Sequence, residues 1–178
     1  METILVLLIL MGVILFGAPL LAHSYFSSQE AIAVCFQEME SRAAERAKTE
    51  ISLLREQGQD AANIEIVLEN RGVVKLADYD RWDVIVEYDD GVKPQERHSV
   101  WLPYSPWPED NHWWVVGIYA DATIRGSEVA EAYEPGILNP EEEMVLALRL
   151  SPAVGITTTN VATIVTVNGI SASKVFTR

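Results

Sequence analysis

Residues Ile4 to Ala22 read ILVLLILMGVILFGAPLLA, nineteen in a row without a charged side chain. An α-helix rises about 1.5 Å per residue, so this run spans about 28 Å, close to the hydrocarbon thickness of a bilayer. A helix on the surface of a soluble protein keeps one polar face. This one is apolar all round, so lipid or other helices must surround it. A cleavable secretory signal is also apolar, but it carries a basic n-region and a shorter apolar core. Here the only charge before the run is Glu2, and Lys and Arg are absent until Arg42. Cytoplasmic basic residues normally orient a membrane segment. Their absence suggests that a basic leader has been removed and that Met1 opens a mature chain. Pro19, preceded by Gly12 and Gly17, removes a helical hydrogen bond and predicts a kink or a locally melted stretch.

From Tyr25 the pattern becomes one-sided. Ile32, Phe36, Met39, Ala43, Ala47, Ile51 and Leu54 follow at steps of 4, 3, 4, 4, 4 and 3, which is one face of an α-helix. Charged residues from Glu38 to Glu50 fill the other positions, and Glu38 and Arg42 are spaced for an ion pair. Gly58 supplies a C-terminal stop. Residues 1–58 therefore predict one helix of about 55 residues, about 80 Å long. A lone globular domain has no use for such an element. A filament does: the apolar halves bundle in its centre and the amphipathic halves seat an outer domain. A single-pass anchor with a stalk is the alternative.

Beyond Asn63 the periodicity changes. IEIVLEN, VVKLA, WDVIVEYDDG, RHSVWLPY, HWWVVGIYADATI, EEMVLALRL, NVATIVTVNG and SKVFTR are short β-branched and aromatic runs. Gly, Pro, Asn and Asp separate them. Residues 62–178 thus predict seven or eight strands in an immunoglobulin-like antiparallel β-sandwich, with the chain ending in or just after a strand. The fold class is α+β, a long N-terminal helix followed by that sandwich.

Little in the sequence points to catalysis. The net charge of -13 excludes nucleic acid as a partner, because phosphate binding needs a basic surface. Cys35 is the only cysteine, so no intrachain disulfide forms, and its apolar neighbours predict a buried thiol. His23, His98 and His112 lack metal-ligand spacing. No Asn-x-Ser/Thr sequon, P-loop or G-x-S-x-G elbow occurs. Asp78, Asp80 and Asp83, with Asp89 and Asp90, have the oxygen chemistry for Ca²⁺ but not its loop spacing, and read as solvated turns. No cofactor or metal is expected. The segment WLPYSPWPEDNHWW concentrates aromatic residues. Trp101, Tyr104, Trp107, Trp113 and Trp114 are candidates for a subunit contact, a core plug or a glycan platform. Thr157, Thr158, Thr159, Thr163 and Thr166 read as strand formers before O-glycan sites.

The uncharged ILVLLILMGVILFGA run and its amphipathic extension resemble archaellins and archaeal-type pilins of the type IV pilin-like superfamily. IEIVLENRGVVKLADYDRWDVIVEYDD is similar to the first strands of archaellum β-domains, and EPGILNPEEEMVLALRL to a later part. The resemblance covers most of the chain, but its motifs are patterns of apolarity and turns. Leu5 stands where bacterial type IV pilins carry glutamate, which fits the archaeal branch. The resemblance implies a homopolymer of identical subunits at the cell surface, with the precursor in the cytoplasmic membrane. It also implies cleavage by a prepilin peptidase and assembly by an ATPase and its platform. Ile4, Leu5, Leu8, Met11, Val13, Leu15, Phe16 and Pro19 would form the filament core. Ile32, Phe36, Met39, Ile51 and Leu54 would pack subunits or domains. The C-terminal domain also resembles two archaellum accessory proteins that act as a stator bound to the surface layer. The alternative is therefore a membrane-anchored stator component.

Overall fold

The computed structural model describes residues 2–58, 62–92, 97–122, 124, 126–131 and 134–178. The chain divides into two compact units, Met1–Ala44 and Glu45–Arg178.

One helix, α1 (Glu2–Lys48), carries the apolar run and continues for 47 residues, passing Pro19 without interruption. At 1.5 Å per residue it is about 70 Å long. It is shorter than the sequence pattern suggests. Residues expected to extend the helix to Gln57 form a strand instead, β1 (Ile51–Gly58). The physical reason is tertiary pairing. β1 runs antiparallel to β2 (Asn63–Asn70), with Ile51 opposite Asn70 and Leu53 opposite Leu68. Ile51 and Leu53 then point inward at the two-residue period of a strand.

The chain after β2 helps to stop the helix. Val73 N donates to Lys48 O at 2.9 Å, and Arg71 N and Gly72 N both donate to Glu50 O. Carbonyls at the helix end that would be orphaned are thereby satisfied. Gly72 permits this approach, since a Cβ there would lie 2.5 Å from Lys48 O. On the other side, Arg46 Nε donates to Asn168 O at 2.8 Å and Asn168 Nδ2 to Thr49 Oγ1 at 3.1 Å.

The remaining strands are β3 (Asp83–Asp89), β4 (Arg97–Leu102), β5 (His112–Asp121), β6 (Val129–Ala130), β7 (Glu143–Arg149), β8 (Thr159–Val165) and β9 (Ser171–Thr177). They form two antiparallel sheets, ordered β1-β2-β7-β5-β6 and β4-β3-β8-β9. The α+β sandwich read from the sequence is therefore present, with β1 and the two-residue β6 added. VVKLA is not a strand. Only Leu76 pairs, in an isolated bridge to Leu138. A single core holds side chains from both sheets, among them Ile66, Leu68, Leu146 and Leu148 from one and Val84, Val86, Leu102 and Ile164 from the other. The last strand ends one residue before Arg178, whose guanidinium donates to Val154 O at 2.8 Å.

Candidate functional site

The first candidate surface is α1 itself. Ile4, Leu5, Leu8, Met11, Val13, Leu15 and Phe16 are all exposed, as is Pro19. A Cβ added at Gly12 or Gly17 would meet nothing within 4 Å. The helix is long and apolar enough to cross a membrane. Further along, Ile32, Phe36 and Met39 are 51%, 66% and 65% exposed. The side-chain ion pair Glu38–Arg42 closes to 3.9 Å. Cys35, expected to be buried, is also exposed. Ile51 and Leu54 do not belong to the stripe. Ile51 is buried in the sandwich and Leu54 sits at the irregularity where β1 shifts register against β2.

The aromatic segment does not act as one loop. It begins at the end of β4 and finishes inside β5, so strand register sorts its side chains. Trp113 is completely buried, with Leu148 opposite it. Of the alternatives offered for this segment, Trp113 takes that of a core plug. Tyr104 stacks edge-on against Trp113 at 5.0 Å, and Trp82 lies 6.5 Å away. Trp82, which the aromatic segment does not include, is fixed by Nε1 donating to Ala77 O at 3.1 Å. Trp114 is half-buried, and the Arg149 guanidinium stands over its ring at 5.8 Å. Among the tryptophans, Trp101 and Trp107 are the exposed ones. Trp101 Nε1 donates to Asp83 Oδ1 at 2.9 Å, which fixes the direction of the indole on the sheet.

Among the described residues the ionisable groups form local pairs. Among the described residues no three His, Cys, Asp or Glu side chains are grouped to hold a metal. Asp89 and Asp90 cap their own turn by accepting from Gly91 N and Val92 N. The Val92 amide, followed by His98, holds the Asp90 carboxyl below its usual range. His98 lies 3.4 Å from Asp90 and stacks on the buried Tyr88 ring at 5.0 Å. His112 Nδ1 donates to the Asp110 carbonyl at 2.8 Å, and His23 sits far along α1. Glu131 is pushed up by burial and by the nearby Glu142 charge. Thr158 and Thr166 are buried, and Thr163 bonds Ser173 across the strands at 2.9 Å.

Sequence reasoning missed the outer face of the four-stranded sheet. Ile85, Val161 and Val165 point away from the core there, beside the exposed Val175. The signal was confined to β8 and β9, where the outward Val161, Val165 and Val175 break the polar alternation, while β3 and β4 carry Asp83, Glu87, Asp89 and Arg97 on the same face.

No family model matches the sequence. No curated protein matches it. Solved structures match in fold. The archaellum periplasmic stator protein FlaG from Sulfolobus acidocaldarius superposes with a TM-score of 0.50 at 16% identity, covering 72% of this chain and 99% of that one. The stator protein complex of FlaF and FlaG from the same organism gives 0.50 at 16% identity, over 72% and 89% of the two chains. The archaeal flagellum of Methanospirillum hungatei strain JF1 gives 0.48 at 12% identity, over 99% and 90%. At this identity the two stator matches show a shared fold for the greater part of the chain.

Proposed function

We propose that this chain is a non-enzymatic structural subunit of an archaellum-like or type IV pilus-like surface filament, for motility or adhesion. The observation that carries the reading is the exposed stripe on the second part of α1. Lipid alone satisfies Ile4 to Ala22, about 28 Å of helix. Ile32 to Met39 begins about 15 Å beyond that run, outside any bilayer core it spans. A hydrated stalk needs no apolar stripe there; a bundle of like helices does. Burying on the order of 1,000 Å² of helix surface supplies on the order of 25 kcal/mol before association costs. In this reading the membrane holds the subunit before assembly, and a prepilin peptidase and an assembly ATPase with its platform act on it.

A second reading is favoured by one observation, the fold shared with FlaG, a stator protein. In it the chain remains a single-pass anchor and the sandwich grips a surface-layer partner. Electron microscopy of filaments sheared from cells, with mass spectrometry of the main band, separates the two. A dominant band of this chain in thin filaments supports the subunit. Its retention in the membrane fraction, absent from sheared material, overturns the subunit reading in favour of the anchor.

A further inference from the structure

β6 is held weakly. It has two residues, both exposed, and it pairs with β5 alone, Ala130 opposite Tyr119 and Val129 opposite Asp121, across an irregularity. A segment with so few buried contacts opens at low free energy. One ionisable group beside it can therefore decide whether it stays on the sheet.

The next residue is such a group. Glu131 is half-buried, and its Oε1 is closed off from solvent without a hydrogen-bond partner. A charged carboxylate is costly in that position, and a proton removes most of the cost. The groups that face it add to the cost. Glu142, at the entry to β7, is buried, and its Oε2 accepts from Asn139 N at 2.9 Å and Asn139 Nδ2 at 3.0 Å. Tyr79, in the 3₁₀ turn Tyr79–Arg81, has its own pKa raised by burial, with the Glu131 and Glu142 charges adding to the effect. Within the loop, the Gly136 amide favours the ionised form of Glu131, but burial first and the Glu142 charge second outweigh it. Among the described residues no cation pairs with Glu131 or Glu142, and Lys75 alongside is taken by Glu134.

The neighbours are fixed. Leu76 and Leu138 exchange backbone hydrogen bonds at 3.0 and 2.8 Å, which ties the chain before Tyr79 to the chain before Glu142. Asn70 N donates to Glu142 O at 3.0 Å, and Glu141 N to Asn70 O at 2.8 Å. Glu131, joined to the weak strand, is the member of the group that moves.

We propose that Glu131 is a proton-operated latch: neutral, it lies in beside Glu142 and Tyr79 and keeps β6 on the edge of β5; ionised, it leaves for solvent and takes β6 with it. The bistable element is β6 and the switch is one proton. A carboxyl whose value is raised in the closed form stabilises that form fully below its ordinary value of 4.5. The contribution is lost as pH rises through the raised value. Acid therefore closes the sheet edge, and neutral or alkaline solution uncovers β5 there. The latch belongs to the sandwich alone and works whether the helix bundles in a filament or stays in a membrane.

The test is amide hydrogen exchange on the full chain in detergent, from about pH 4 to about pH 8, with rates corrected for the intrinsic effect of pH on exchange. Protection at residues 119–121 and 129–130 should fall as pH rises, by at most about tenfold per pH unit, the slope of one proton. The amides of β3 and β8 should keep theirs. Glu131→Gln, neutral and of the same shape, should hold the acid-form protection throughout. Glu142→Gln should move the transition to lower pH, a shift that a packing role alone would not produce. Two results overturn the proposal. One is protection of β6 that does not change with pH in the unaltered chain, which decides the matter whether or not the variants fold. The other is a pH dependence that Glu131→Gln retains, which would assign the proton to Asp121 or Glu128 at the other end of β6.

Discussion

The sandwich and the helix carry apolar side chains of the same kinds and dispose of them in opposite ways. In the sandwich, Leu68, Leu146, Leu148 and Ile164 lie in a core shared by both sheets, with no exposure. On the helix, Leu8, Leu15, Phe16 and Leu21 are exposed. One region buries its apolar side chains as it folds; the other leaves them exposed. Substitutions in the two regions should therefore separate into those that remove assembly and those that remove stability.

The largest effect is expected in the apolar run of α1. Leu8→Asp places a carboxylate where lipid or neighbouring helices must lie, at a cost of roughly 3 kcal/mol per subunit. A filament repeats that cost at every position. Sheared filaments should be absent under the microscope, while the near-UV circular dichroism melt of the sandwich stays where it was. Normal filaments from Leu8→Asp would show that the helix does not form the core. The reverse behaviour is expected of Leu146→Ala. It leaves a cavity among fully buried residues and should cost about 2–5 kcal/mol. The melt should fall by roughly 10 °C, and the variant that survives should still reach the membrane. If Leu146→Ala and Leu8→Asp gave the same phenotype, the contrast between the two regions would fail.

How much of this was legible in the sequence follows from the same contrast. Ile4 to Ala22 could be read as helix because a nineteen-residue uncharged apolar run is far longer than a strand and lacks the polar face of a surface helix. The end of the helix could not, because Ile51, Leu53 and Leu54 satisfy two periods at once. Ile51 and Leu54 continue a helical stripe, while Ile51 and Leu53 alternate as a strand. Only the partner strand β2 and the close approach at Gly72 decide between them. The aromatic segment was similarly undecidable. Trp113 and Trp114 are adjacent, yet one is in the core and the other is half-buried, since neighbouring residues of a strand face opposite ways. Composition located the tryptophans, and register assigned them. VVKLA has strand composition, but its first amide, Val73 N, closes the helix end at Lys48 O, its Val74 and Ala77 carbonyls accept from Asn70 Nδ2 and Trp82 Nε1, and its strand-like pairing is confined to the bridge of Leu76 to Leu138.

Gly72 offers a sharper probe of the junction, with a smaller expected effect. Its missing Cβ is what lets Val73 N reach Lys48 O. In Gly72→Ala the new carbon would also lie 2.7 Å from Glu50 N, and backbone atoms cannot swing aside as a flexible side chain can. A loss of about 1–3 kcal/mol is expected. Hydrogen exchange should show it first at the amides of residues 71–73, before the strand amides of β3 and β8. Uniform loss of protection over the whole sandwich would mean that the closure is no more local than the core.

The smallest effects are ionic, and they oppose each other in pH. Burial raises the Tyr79 pKa, and its hydroxyl donates to Leu76 O at 3.2 Å. A tyrosine whose folded pKa lies above its unfolded value stabilises the fold at every pH below about 10, and that contribution is lost as pH rises through the folded value. Asp90 runs the other way. The Val92 amide, and then His98, lower its pKa. Its contribution is present above the ordinary carboxylate range near 4 and is lost as pH falls toward the depressed folded value. Tyr79→Phe should flatten the alkaline limb of a stability–pH curve and leave the acid limb alone. Asp90→Asn should do the converse, with the acid limb shallower and the neutral plateau lower. The His98 imidazole resonance should also move in Asp90→Asn, because that ring lies 3.4 Å from the carboxylate. A helix variant such as Leu8→Asp should alter neither limb, since both groups belong to the region that completes itself on folding.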